Sequence, residues 1–92
     1  MLEGITRRGV NLAMAEFDEL GRDAFLERYG YGPARNYFLV EGDHRYDSKA
    51  LVAAAWSHEH PGKPAPTPAE FSGGLGTVAR RLQELGFQME YR

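Results

Sequence analysis

The run "ALVAAAW", Ala50 to Trp56, constrains the fold more than any other stretch of the chain. A surface helix keeps a polar face. This segment has none, so it predicts a helix covered on most of its sides. In a chain of 92 residues only one core can be built, and the rest of the sequence has to supply the cover. Trp56 is expected to be largely buried against a sheet and the first helix. The chain therefore reads as one domain over residues 1–92.

The covering elements follow from periodicity and punctuation. In "TRRGVNLAMAEFDELG", Thr6 can cap a first helix, and Val10, Ala13, Met14, Phe17 and Leu20 recur at helical spacing. Gly21 stops it as a left-handed cap. "RDAFLERYGYG" predicts a short second helix that Gly30 ends. "NYFLVEGDHRYDS" carries the one clear hairpin signal, with an aromatic and β-branched strand, Gly42-Asp43 as turn and Arg45-Tyr46 on the return. Asp47 or Ser48 then caps the third helix. "PGKPAPTPAEF" is too rich in proline for regular structure, apart from a helical turn after Thr67. A fourth helix runs from about Gly74 to Leu85, and "FQMEY" alternates like a strand. That strand should pair with the hairpin, because a lone two-stranded ribbon is marginal. The fold class is α+β: a compact domain of about four helices with a small antiparallel sheet, loosely winged-helix-like.

Composition excludes several classes. No apolar run approaches the ~20 residues of a membrane span. "MLEGITRR" lacks the apolar centre of a signal peptide, and there is no cysteine for disulfides or thiolate metal sites. These features point to the cytoplasm. The net charge of −2 is not the basic balance of a non-specific nucleic-acid binder. The sign is uneven, however. "EFDEL" is acidic, while Arg7, Arg8, Arg35, Arg45, Lys49, Arg80 and Arg81 lie elsewhere and could form a local positive patch.

The fourth helix, "EFSGGLGTVARRLQELGF", holds the feature closest to a binding site. Ser72 suffices as a cap. Gly73 and Gly74 add side-chain-free backbone at the helix start, where N–H groups can approach a phosphate. Two glycines also serve a tight turn or close packing. On a helical wheel Leu75, Val78, Ala79, Leu82 and Leu85 share one face, with Thr77, Arg80 and Glu84 opposite and Arg81 at the edge. The arginines therefore face either solvent or a partner. "HEH", His58 to His60, lacks a metal-binding spacing. Ser48 and Lys49 are adjacent on a helix and do not face each other as nucleophile and base. No motif of a known enzyme class is present.

Two stretches, "ARNYFLVEGDHRYDSKALVAAAW" and "FSGGLGTVARRLQELGF", resemble the N-terminal head domain of McrA-like type IV restriction endonucleases, modular HNH nucleases that attack modified DNA. The resemblance runs from about Thr6 to Phe87. Tyr46, Ser48 and Lys49 match the strand-to-helix motif, and Phe71, Ser72, Gly73 and Gly74 match the loop-to-helix motif, with Phe71 as a core anchor. The resemblance implies a non-catalytic accessory module, without cofactor or metal, ahead of modules that read methylated or phosphorothioate DNA and a domain that cuts. Double-stranded DNA and further domains of a longer nuclease are the implied partners. The expected DNA-binding residues are Arg80, Arg81, Thr77, Ser72, Gly73, Gly74, Lys49, Ser48, Arg45 and Tyr46. The alternative is a dimerisation or docking module that positions the nuclease without touching DNA, using Tyr29, Tyr31 and Tyr37 as exposed aromatics.

Overall fold

The computed structural model describes residues 2–70 and 75–92. The expectations placed on Phe71, Ser72, Gly73 and Gly74 lie outside the described residues.

Helix α1 spans Arg7–Leu20 and α2 spans Arg22–Tyr29. Thr6 caps α1 as expected: its Oγ1 accepts the Gly9 amide at 3.1 Å. A single residue, Gly21, joins the helices. Its amide donates to the Phe17 carbonyl and its carbonyl accepts from Phe25, so it closes one helix and opens the next. The backbone there has φ of +86° with an extended ψ of 158°, rather than the left-handed helical cap predicted. Only glycine enters that region without strain.

The hairpin forms from β1 (Tyr37–Glu41) and β2 (His44–Asp47). Strand β3 (Gln88–Tyr91) pairs antiparallel with β1, which gives the order β2-β1-β3. In this register Leu39 stands between Tyr46 and Met89 and faces the core, while Phe38 lies between Asp47 and Glu90 on the outer side. Alternation along β1 thus sets which face of the sheet the helices cover.

Helix α3 (Ser48–Glu59) runs through the middle, and every residue from Ser48 to Ala55 except Lys49 is buried. It packs on α1, α2, the hairpin strands and α4 (Leu75–Glu84). Phe17, Phe25 and Tyr46 form an aromatic group beside it: Phe17 meets Phe25 tilted at 4.9 Å and Tyr46 edge-on at 5.0 Å. A 3₁₀ turn at Pro68–Glu70 follows Thr67, as the sequence suggested.

Three further expectations are corrected. Trp56 is only half-buried and stacks on His60 at 4.0 Å, near Gly4, because it sits at the far end of α3 beyond the reach of the sheet. Asp47 occupies the cap position of α3 but makes no capping bond. Its carboxylate turns back to accept from Arg22 (2.8 Å) and from the Ala34 amide (2.8 Å), a charged donor and a backbone donor. Tyr29, Tyr31 and Tyr37 are not an exposed aromatic face. Tyr31 is buried and donates to the Pro66 carbonyl, tying down the proline-rich loop, while half-buried Tyr29 donates to Glu16.

Candidate nucleic-acid interface

The described candidate residues divide by what their side chains already hold. Tyr46 is 3% exposed, and its hydroxyl donates to Asp18 at 3.0 Å. Burial first, and the acceptor second, push that hydroxyl up to about 12. Ser48 is fully buried and donates to the Tyr37 carbonyl, fastening α3 to the first strand. Both hydroxyls are thus already engaged within the fold. Arg81 is also occupied. Its guanidinium donates to the carbonyls of Leu2 and Ile5, both at 3.1 Å, and so braces the N-terminal segment against α4. Arg45 lies over the Phe38 ring and pairs with Glu90 at 3.1 Å. Of the sequence-derived set, Arg45, Thr77 and Arg80 are exposed and Lys49 is half-buried.

Two depressions bring these residues together with others. One, of about 230 Å³, opens at the start of α3 and is lined by Pro33, Ala34, Arg35, Asn36 and Lys49 among others. The other, of about 320 Å³, lies between α4 and the sheet and includes Tyr37, Arg80, Gln83 and Tyr91. The consecutive residues Asn36 and Tyr37 line one depression each, so the two are neighbours. Arg92 joins them from the end of β3: its amide donates to the Asn36 carbonyl at 2.7 Å, and its guanidinium pairs with Glu90 at 2.8 Å. Arg35, Lys49, Arg80 and Arg92 thus collect where β1 begins and β3 ends. Arg35 and Arg80 are exposed and carry no ion pair among the described residues. Arg35 is among the cations expected to form a patch but not among the expected DNA-binding residues, because no local motif marks it. Its position becomes informative only when β3 folds back beside β1.

The other end of β1 has the opposite sign. Glu41 and Asp43 sit at the hairpin turn, and His44 there lies 3.4 Å from Asp18 of α1. Five strand residues separate the ends by about 17 Å. An acidic protein therefore presents a locally cationic end, as uneven charge along the chain allows.

The histidines have structural partners: His58 contacts Glu16 at 3.0 Å, and His60 contacts the Trp56 carbonyl at 2.8 Å. Among the described residues no group of three or more His, Cys, Asp or Glu could hold a metal ion, and no helix is long and apolar enough to cross a membrane.

Comparison with known proteins agrees with the resemblance seen in the motifs. Among solved structures the chain is similar to the type IV phosphorothioation-dependent restriction endonuclease ScoMcrA, at 28% identity and a TM-score of 0.69. The match covers 96% of this chain and 13% of that one, so the domain spans a small part of the enzyme it resembles. No curated protein matches. The model of the ScoMcrA-like N-terminal head domain matches residues 3–91, nearly the whole chain. The chain belongs to the family of N-terminal head domains of ScoMcrA-like restriction endonucleases.

Proposed function

We propose that this head domain is a non-catalytic DNA-docking module that helps a modification-dependent nuclease engage methylated or phosphorothioate duplexes. The observation that carries the reading is the separation of charge along β1, which leaves Arg35, Lys49 and Arg80 at one end. Membership in a restriction-endonuclease family supplies the polymer those cations would meet. Arg35, Lys49 and Arg80 hold backbone phosphates. Phosphate contacts position a protein without reading sequence, so the reading of the modification falls to other domains of the nuclease. Thr77, exposed one turn before Arg80 on α4, adds a polar contact along the same path. The competing reading, docking without DNA, loses the tyrosine patch that motivated it, since Tyr31 is buried and Tyr29 is held by Glu16.

The test is a titration of plain, methylated and phosphorothioate duplexes at two salt concentrations. An Arg35→Ala, Arg80→Ala double variant should weaken binding to all three alike. It should also make the slope of log K against log salt shallower by about two units, close to one for each lost phosphate contact. Arg81→Ala should lower the melting temperature, because it frees the N-terminal segment, and leave the slope unchanged. Parental affinity in the double variant overturns the proposal.

A further inference from the structure

The groove between α4 and β3 has features that backbone docking does not use. Tyr91 is 68% exposed, the most exposed large hydrophobic side chain among the described residues. Tyr37 meets its ring at 4.9 Å and a tilt of 57°, and so supports it from one side. Arg80 and Gln83 line the opposite wall from successive turns of α4, and Gly76 keeps that wall low. A Cβ at Gly76 would meet nothing within 4 Å, so the space above it is open. Glu90 also borders the groove, but Arg45 and Arg92 already pair with it, which offsets its repulsion of an anion.

We infer that this groove binds a single unpaired nucleotide, with its base on Tyr91 and its phosphate at Arg80. The inference rests in part on the DNA reading above. It adds a ligand that a duplex does not present. A held aromatic ring accepts any base by its π-face, which is how proteins bind single strands without sequence preference. The Gln83 amide offers both a donor and acceptors to the edge of a base. The volume, about 320 Å³, falls at the lower end of the range of about 300–1,000 Å³ seen for small-molecule sites. The nucleotide can come from an unpaired stretch of a strand or from solution, and the two sources share this chemistry.

The experiment compares the parent, Tyr91→Ala and Tyr91→Phe by fluorescence anisotropy with a labelled single-stranded oligonucleotide, by equilibrium dialysis with a deoxymononucleotide, and by anisotropy with a duplex. The expected result is binding of the single strand that Tyr91→Ala weakens by about tenfold. Tyr91→Phe should bind as the parent does, because stacking needs the ring and not the hydroxyl. Duplex affinity should stay within twofold in both variants. Mononucleotide binding with the same dependence on Tyr91 assigns the free nucleotide as the source. No binding of either ligand, or equal binding by Tyr91→Ala, overturns the inference. So does an equal loss in Tyr91→Phe. A parent that binds the single strand but no duplex counts against the docking proposal and leaves this one standing. Since Tyr91 is largely exposed, circular dichroism of the alanine variant should match the parent.

Discussion

Tyr46 lies in the motif that resembles the head-domain family, yet its ring packs edge-on against Phe17 and its hydroxyl is spent on Asp18. Ser48 and Arg81 have similar employment, fixing β1 to α3 and the N-terminus to α4. A wheel or a motif says which way a side chain leaves its element, but not which carbonyl it meets. Arg81 could be placed at the edge of α4 from the sequence, but its two acceptors come from residues 76 or more positions away. The buried tyrosines carry a pH prediction. Burial, then the Asp18 carboxylate, raises the Tyr46 hydroxyl to about 12, and burial raises Tyr29 and Tyr31 as well. The unfolded chain loses these protons near pH 10 while the folded chain keeps them. Their contribution is therefore complete below pH 10 and is lost as pH rises toward and through 12. Urea midpoints should hold level to about pH 9.5 and fall steeply above it, and Tyr46→Phe should make that fall shallower. An identical alkaline decline in the variant would show that Tyr46 takes no part.

At the scale of elements, the pairing of α1 with α3 sets the packing. Gly9 and Ala55 face each other so closely that a Cβ on Gly9 would stand 2.9 Å from the Ala55 carbonyl oxygen and from Glu59. Two effects oppose one another in Gly9→Ala. Helix propensity favours alanine by about 1 kcal/mol, and overpacking costs about 1–3 kcal/mol. The backbone oxygen cannot swing away, and moving Glu59 breaks its 2.6 Å bond from Thr6, so the clash should win. The variant should melt several degrees below the parent. A higher melting temperature would mean that the helices separate at little cost. The sequence made the elements legible because each has a local cause: Thr6 as cap, Gly21 and Gly30 as stops, the apolar run of α3, and Gly42-Asp43 as turn. It misplaced Trp56, whose burial depends on how far α3 extends past the sheet. It placed Asp47 at the cap position of α3 but not the use of its carboxylate, because Arg22 and the Ala34 amide reach that group only in the folded chain. The hairpin could be read locally, but the position of β3 beside β1 rather than β2 could not.

For the whole molecule, charge is arranged by topology rather than by composition. A net charge of −2 argued against contact with nucleic acid, and only antiparallel pairing of β3 with β1 puts Arg92 beside Asn36 and close to Arg35. This arrangement separates two variants that net charge cannot. Glu90→Gln and Asp43→Asn each remove one negative charge. Glu90 sits at the cationic end and holds Arg45 and Arg92, whereas Asp43 sits at the hairpin turn. At physiological salt the screening length is about 8 Å, short beside a molecule 32 Å long. Glu90→Gln should therefore tighten duplex binding severalfold, and Asp43→Asn should stay within twofold of the parent. At about 0.01 M salt the screening length grows to about 30 Å and spans the domain, so the two effects should converge. Anisotropy titrations of both variants across that salt range make the comparison. If the two variants bind alike at physiological salt, DNA does not approach by the end where β1 begins.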